Sequence, residues 1–247
     1  MQGRLDVGAV IRRVFHIYVD QASVLMPAAA AVFVVTGIIS ALLATSGSLI
    51  GVLLALVISL VAGTLFTGMV VELVADVEDG RRDASPGQLL RAAMPVIGQL
   101  ILVGFVAGVG IVVGFFLIVV PGLILITIWS VAAPVVVLER PQGLGALGRS
   151  RELVRGNGWQ VFGVIVILYV VVTIVVAAID AGAESAGTGA GIVVRVVLGV
   201  LSAPITALAA SVLYFDLRKI AGDHMPVVGP TDLPSAGASD HDPMNAG

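Results

Sequence analysis

Long uninterrupted runs of apolar residues are the feature that most constrains how this chain can fold. Six runs approach or exceed the roughly 20 residues with which a helix crosses about 30 Å of hydrocarbon. They lie at about 24–44, 49–71, 96–119, 122–138, 159–179 and 192–215. Hydrophobic residues make up 58% of the 247 positions, above the roughly 45–50% of soluble globular chains. The sequence therefore predicts an all-α, polytopic membrane bundle of six transmembrane helices.

Short interruptions divide these spans into hairpins. The small polar residues at 45–48 favour a tight turn between the first two spans. Pro121 and Gly122 separate the third span from the fourth, because proline removes a helical donor and glycine allows unusual backbone angles. A single kinked helix over 96–138 would be roughly 65 Å long, about twice the hydrocarbon thickness. A hairpin is therefore the better interpretation.

Two overlapping G-x-x-x-G patterns lie in the third span. This spacing lets two helices approach closely, because glycine has no side chain between the backbones. The patterns favour packing inside the monomer over dimerisation, since a six-span bundle already supplies neighbouring helices. Their members are Gly104 with Gly108, and Gly110 with Gly114.

Basic residues fall almost entirely on one side of the predicted bundle. With six spans, all 13 lysine and arginine residues except Arg195 lie on the side that holds both termini. Positive charge is retained in the cytoplasm during insertion, so this side is predicted to be cytoplasmic. The connections around Thr45, Pro121 and Gly182 then face outward. We expect a multi-pass protein of a bacterial plasma membrane.

A short amphipathic cytoplasmic helix is predicted before each pair of spans. In the segment 145–155 one helical face is formed by Ala146, Leu147, Ser150, Leu153 and Val154, and arginines occupy the other. Similar faces occur around 10–18 and after Ser85, which begins a capping box ahead of Pro86. A shared pattern, G-x-[VL]-x-R, starts at Gly8, Gly87 and Gly145. It indicates either three repeats of helix plus hairpin or a coincidence of composition.

The arginine-rich segment 145–155 is the main candidate for a binding surface. Glu139 ends the fourth span beside it and is expected to order the loop by pairing with Arg149 or Arg151. The alternative is that Arg149, Arg151 and Arg155 bind anionic lipid headgroups. Basic residues at a negatively charged membrane surface gain about 1 kcal/mol each. Neither interpretation requires catalysis.

Three further polar residues fall inside or beside the spans. Glu72 is expected either at the cytoplasmic interface or lining a polar vestibule, because a charge in hydrocarbon is costly. Gln99 is expected to form a hydrogen bond between helices. Arg195 is expected to pair with Asp180 or Glu184 near the outer surface.

Motifs for catalysis or cofactor binding are not evident. There are no cysteines, which excludes disulfides and thiolate chemistry. A phosphate-binding loop, a nucleophile elbow and a zinc-binding helix motif are also absent from the sequence. The few basic residues do not suit nucleic-acid binding. We expect no enzyme activity and no cofactor, in a single membrane domain over 1–221 followed by a disordered cytoplasmic tail over 222–247.

Two stretches, 118–139 and 145–167, carry a family resemblance. The residues concerned are Pro121, Gly122, Trp129, Pro134, Glu139, Ala146, Leu147, Arg149, Ser150, Leu153, Gly156 and Trp159. The chain resembles the membrane domain associated with glycerophosphoryl diester phosphodiesterases, and related uncharacterised six-span bacterial membrane proteins. Ile128 stands where that family usually has a basic residue. The resemblance implies the membrane part alone, because the phosphodiesterase chemistry belongs to a separate catalytic barrel.

These observations lead to two functional hypotheses. The first is a non-enzymatic membrane scaffold or accessory protein that contacts anionic lipids or a protein partner through its basic cytoplasmic side. The alternative is a small-solute or lipid transporter. A polar cavity joining Glu72, Gln99 and Thr127 would favour transport, whereas a bundle packed solid by Val, Leu and Gly would favour scaffolding. The oligomeric state is not indicated.

Overall fold

Helices form the regular structure of the protein. The computed structural model describes residues 4–44, 47–80, 85–184 and 188–222, and no strand occurs among them. The helices are α1 (Val7–Asp20), α2 (Ala22–Ala44), α3 (Leu49–Glu78), α4 (Pro86–Ala93), α5 (Ile97–Leu117), α6 (Val119–Ile128), α7 (Ala132–Glu139), α8 (Gly145–Val154), α9 (Gly158–Glu184) and α10 (Thr188–Ala221). A 3₁₀ turn, Met94–Val96, joins α4 to α5. The predicted tail lies outside the described residues, except Gly222.

Six helical stretches are long and apolar enough to cross a membrane. They are Ala22–Ser40, Leu49–Glu78, Pro86–Leu117, Val119–Glu139, Gly158–Ala177 and Val197–Ala221. Large apolar side chains cover the outer surface, as with Phe116, which is 92% exposed. A soluble monomer rarely presents such continuous apolar surface. The predicted all-α, multi-pass membrane bundle is confirmed, and the predicted span boundaries differ from the observed ones by several residues.

The connection between the third and fourth spans is shorter than predicted. α5 ends at Leu117, Ile118 alone is extended, with φ −160° and ψ 144°, and α6 begins at the next residue. Pro121 therefore lies in the first turn of α6, where its missing N–H has no intrahelical partner to lose. The hairpin is present, but the prediction that Pro121 and Gly122 separate its two helices is wrong.

Close packing of glycines holds this hairpin together. A Cβ on Gly114 would lie 3.1 Å from the backbone of Gly122, and a Cβ on Gly110 would lie 2.7 Å from the Trp129 ring. A Cβ on Gly108 would meet no atom within 4 Å. One of the two predicted G-x-x-x-G patterns thus packs α5 against α6, whereas the other faces outward.

The fourth span is broken in its middle, which the sequence analysis did not predict. Trp129 ends α6 with φ −105° and ψ 7°, and α7 starts three residues later. Pro134 explains the position of the break, because it has no N–H for the Ser130 carbonyl and its ring clashes with that carbonyl. The Ala132 N–H bonds to the Trp129 carbonyl at 3.1 Å, which frees the carbonyl of Ile128.

The three predicted amphipathic helices are present as α1, α4 and α8. The face predicted for α8 is buried in full, but it packs on α7, α10 and α6 rather than on lipid. The Ser150 Oγ donates to the freed Ile128 carbonyl at 2.8 Å. Ser85 and Gln88 form the predicted capping box at the start of α4. The valine or leucine of the shared pattern is buried in each helix: Val10, Leu89 and Leu147.

Replacing Gly114 by leucine is expected to destabilise the α5–α6 hairpin. The new side chain must displace the Gly122 backbone, and such overpacking costs about 1–3 kcal/mol. Gly108→Leu, six residues earlier on the outward face, is the matched control and should change stability by less than about 1 kcal/mol. The free energy of unfolding in mixed detergent micelles measures both. Equal losses would show that the glycine contact is unimportant.

Candidate functional site

Polar contacts gather at one end of the bundle, which we call the polar end. It holds α1, α8, the start of α5 and the C-terminal ends of α3, α7 and α10, which hydrogen bonds and ion pairs join to one another. Two separate clusters of charged residues lie there. We name them after Glu139 and Arg13.

The Glu139 cluster fastens α8 to α7 and α10. Arg149 Nε donates to Glu139 Oε2 at 2.9 Å, and the Tyr214 hydroxyl donates to Glu139 Oε1 at 2.9 Å. Tyr214 is fully buried, and the Arg218 guanidinium lies over its ring, 5.9 Å from the centroid. Of the two partners predicted for Glu139, the structure thus selects Arg149. Both oxygens of the carboxylate are engaged within the protein.

The Arg13 cluster fastens α1 to α3 and α10. Arg13 pairs with Glu78 and with Asp216, and the Asp216 contact measures 2.7 Å. Lys219 pairs with Glu78 at 3.0 Å. Two acids and two bases compensate each other here, so the cluster carries no net charge. Such balance suits a contact between helices better than the binding of an ion.

The last turns of α10 supply residues to both clusters. Tyr214 and Arg218 are four residues apart and share one helical face, while Asp216 and Lys219 are three apart and share another. The sequence analysis treated this segment only as the end of a span. The available signal was the run of a tyrosine, an acid and two bases directly after a long apolar stretch.

α1 is also fastened near both of its ends. The Leu5 N–H donates to Asn157 Oδ1 at 3.2 Å, and this bond is buried. The Tyr18 hydroxyl donates to the Leu201 carbonyl at 3.0 Å. Burial raises the pKa of Tyr18, so the hydroxyl keeps its proton and remains a donor. The amphipathic α1 is therefore docked on the bundle as α8 is.

Gln99 binds a loop and not another helix. Its Nε2 donates to the carbonyls of Pro141 and, at 3.3 Å, Gly143, in the connection between α7 and α8. The expectation of a helix-to-helix hydrogen bond is therefore wrong about the partner. The reason is that Gln99 lies in the first turn of α5, at the polar end.

Glu72 lies on α3, half-buried and about 9 Å before Glu78 along the helix axis. The predicted pairing of Arg195 with Asp180 or Glu184 lies outside the residues whose side chains are described.

Arg151 and Arg155 differ from Arg149 in having no acidic partner among the described residues. Both are exposed on the outer side of α8. Three further exposed arginines at or near this end also have no ion pair in the described ranges. We call the five the arginine belt: Arg4, Arg12, Arg91, Arg151 and Arg155. The structure therefore separates the predicted trio into one internal arginine and two outward-facing ones.

Three cavities are relevant to ligand binding. One of about 240 Å³ lies beside the Arg13 cluster, and one of about 270 Å³ lies between α9 and α10. A groove of about 710 Å³ lies between α6 and the start of α9 and includes Thr127. Neither Glu72 nor Gln99 lines any of the three. Among the described residues, no group of three His, Asp or Glu side chains could hold a metal ion.

Replacing Glu139 by alanine is expected to lower the free energy of unfolding by about 1.5–3 kcal/mol. Arg149 and the buried Tyr214 hydroxyl would both lose their acceptor, and hydrogen bonds to charged groups are of this size. Glu152→Ala removes the other carboxylate near Arg149, at 3.6 Å and 71% exposed, and should cost less than about 1 kcal/mol. Unfolding in mixed micelles compares the two variants. A larger loss for Glu152→Ala would contradict the assignment.

Comparison with known proteins identifies one family. The model of a domain of unknown function, DUF8558, matches residues 89–217, which include Glu139, Arg149 and Tyr214. No curated protein and no solved structure matches the chain. Because the match covers just over half of the 247 residues, this chain belongs to the DUF8558 family.

Proposed function

We propose that the protein is a non-enzymatic scaffold or accessory protein of a bacterial plasma membrane. In this proposal its arginine belt contacts anionic lipid headgroups or the acidic surface of a protein partner. The observation that carries it is the division of charge at the polar end. The charges of the Glu139 and Arg13 clusters are paired, whereas the belt arginines are exposed and have no acidic partner among the described residues.

The pairing of the internal charges supports a structural role for them. Glu139 accepts from two donors of its own chain, and the Arg13 cluster balances its charges. A ligand at either cluster would have to displace these internal partners. The belt has no such competition, and each arginine at an anionic surface gains about 1 kcal/mol.

A cytoplasmic position of both termini fits this proposal. The internal contacts join the starts of α5 and α9 and the ends of α3, α7 and α10 on one side, as an even number of spans requires. The belt lies on that side, and positive charge is retained in the cytoplasm during insertion. The inner leaflet is also the one that carries the negative surface potential.

The resemblance to the membrane domain of glycerophosphoryl diester phosphodiesterases fits the same proposal. Several residues of the resemblance have structural roles here: Glu139, Arg149 and Ser150 hold α8 in place. The residues that carry the resemblance belong to the membrane part, which holds none of the phosphodiesterase chemistry. The proposal therefore assigns no reaction to this chain.

A lipid or solute transporter is the second candidate, and the break in the fourth span favours it. Interrupted helices line the binding sites of many transporters. The Ser130 Oγ lies at the break, buried and without a hydrogen-bond partner among the described residues. Movement of labelled phospholipid or solute across reconstituted vesicles separates the candidates, because a scaffold leaves the protein-free rate unchanged.

Single-cysteine variants are expected to place the polar end in the cytoplasm. The native chain has no cysteine, so each introduced thiol reports alone. Leu49→Cys, 75% exposed at the opposite end, should react with an impermeant maleimide in intact cells. Gln142→Cys, exposed at the polar end, should react only after the membrane is opened. Labelling of Gln142→Cys in intact cells would reverse the topology.

Replacing Arg151 and Arg155 together by alanine is expected to reduce the anionic lipids and proteins that copurify with the chain. Loss of about 2 kcal/mol corresponds to roughly a thirtyfold weaker affinity for an anionic surface. Lipid and protein analysis after purification in mild detergent measures this. The difference should shrink at high salt, which screens exposed charges.

Glu152→Gln is the matched control for that double variant. It removes an exposed charge of opposite sign from the same helix, so copurification should not fall. The folded fraction of each variant follows from gel filtration and circular dichroism. If the folded double variant retains the same lipids and protein neighbours as the native chain, the belt proposal is wrong.

A further inference from the structure

A groove of about 710 Å³ runs between α6 and the first turns of α9. Its volume lies within the roughly 300–1,000 Å³ of small-molecule sites. One face of α6 forms a wall, since Val120, Leu123, Ile124 and Thr127 follow the i, i+3, i+4, i+7 spacing. Phe162 contributes to the opposite wall. Apart from Thr127, whose hydroxyl bonds to its own helix, these side chains are apolar.

Both walls belong to segments that are apolar and long enough to cross a membrane, Val119–Glu139 and Gly158–Ala177. The groove is therefore lined along its length by surface suited to a hydrocarbon chain. Ile124 is 53% exposed, so this wall is accessible from outside the protein. An acyl chain can thus lie in the groove without crossing the helix bundle.

One part of the groove is polar and positively charged. Arg4, Gln160 and the turn at Gly156 line it there. The bond from the Leu5 N–H to Asn157 Oδ1 fixes the neighbour of Arg4 against the start of α9. Arg4 is exposed and has no acidic partner within the described ranges. A fixed cation thus lies where an apolar groove reaches the end of a span.

The start of α9 lies at this polar part of the groove. Asn157 precedes α9, and its carbonyl accepts from the Val161 N–H at 3.0 Å. Its side-chain oxygen accepts from the Leu5 N–H. Trp159, 83% exposed, stands beside the same turn and suits the headgroup level of a membrane. Binding of a ligand here depends mainly on the groove walls and on Arg4.

We infer that this groove binds one anionic phospholipid. An acyl chain lies along the apolar face of α6, and the phosphate lies at Arg4, whose charge it complements. The inference rests on the proposed contact with anionic lipids and extends it to a single bound molecule. A zwitterionic lipid fills the apolar wall equally well but gains less at Arg4, so the headgroup charge decides the preference.

The test uses the full chain purified in mild detergent with equal amounts of phosphatidylglycerol and phosphatidylcholine. Native mass spectrometry counts the lipids that stay bound to each molecule. The native chain should retain one phosphatidylglycerol in preference to phosphatidylcholine. Arg4→Ala should reduce that preference about fivefold, the factor for one basic residue at an anionic surface. Ile124→Trp should remove the retained lipid by filling the groove.

Each variant has a control that shares its chemistry but lies outside the groove. Lys219→Ala removes an exposed basic residue that pairs with Glu78 and lies outside both the groove and the belt, and Val112→Trp adds a tryptophan at an outward position of α5 that is 67% exposed. Both should retain the lipid. Arg4→Glu, at an exposed position that leaves the packing intact, is a second variant and should abolish the preference for phosphatidylglycerol.

The outcomes separate this inference from the belt proposal. If Ile124→Trp and Arg4→Glu bind phosphatidylglycerol as the native chain does, the groove is not a lipid site. The belt proposal is then still supported if the Arg151 and Arg155 double variant loses anionic lipids. If only the groove variants lose their lipid, the groove inference holds, and the contact with anionic lipids is made at Arg4 and not at Arg151 and Arg155.

Discussion

Lipid removes the hydrophobic effect as a reason for these helices to associate, because the surrounding hydrocarbon is as apolar as the side chains. Close packing and polar contacts must therefore determine the arrangement of the bundle. Burial differs between the spans. In the most apolar 18 residues of each span, 50% are buried in α10 and 39% in the fourth span, against 11–17% in the other spans. The fourth span and α10 thus form the centre, and their polar ends carry the two charged clusters.

Ionic contacts can stabilise the bundle at this end because they lie where the spans leave the hydrocarbon. Glu139 is only 21% exposed in its side chain, and it receives donors from two other helices. The pair avoids the cost of an isolated buried charge, since each charge has a partner and each oxygen a donor. The same contacts leave Arg151 and Arg155 outside, because α8 presents one face to the bundle and the other to its surroundings.

Local patterns account for what the sequence predicted correctly. Span number, the buried face of α8 and the Ser85 capping box depend on hydropathy and on neighbours within about four residues. The partner of Gln99 and the contacts of Tyr214 depend on residues more than 40 positions away in sequence, which no local pattern contains. The Pro121 prediction was wrong because proline is compatible with the first turn of a helix. Function was not predictable, since no reaction or ligand is tied to the recognised patterns.

The break before Pro134 connects the fold to the surface proposed for function. Without a regular helix through this region, the Ile128 carbonyl has no N–H from α7 and accepts instead from Ser150. That bond places α8 against the fourth span, where Arg149 reaches Glu139 ten residues before it in sequence. An unbroken span would satisfy its own carbonyl and offer α8 no acceptor at this point. A defect in one helix therefore fixes the orientation of another, and with it the outward direction of the belt arginines of α8.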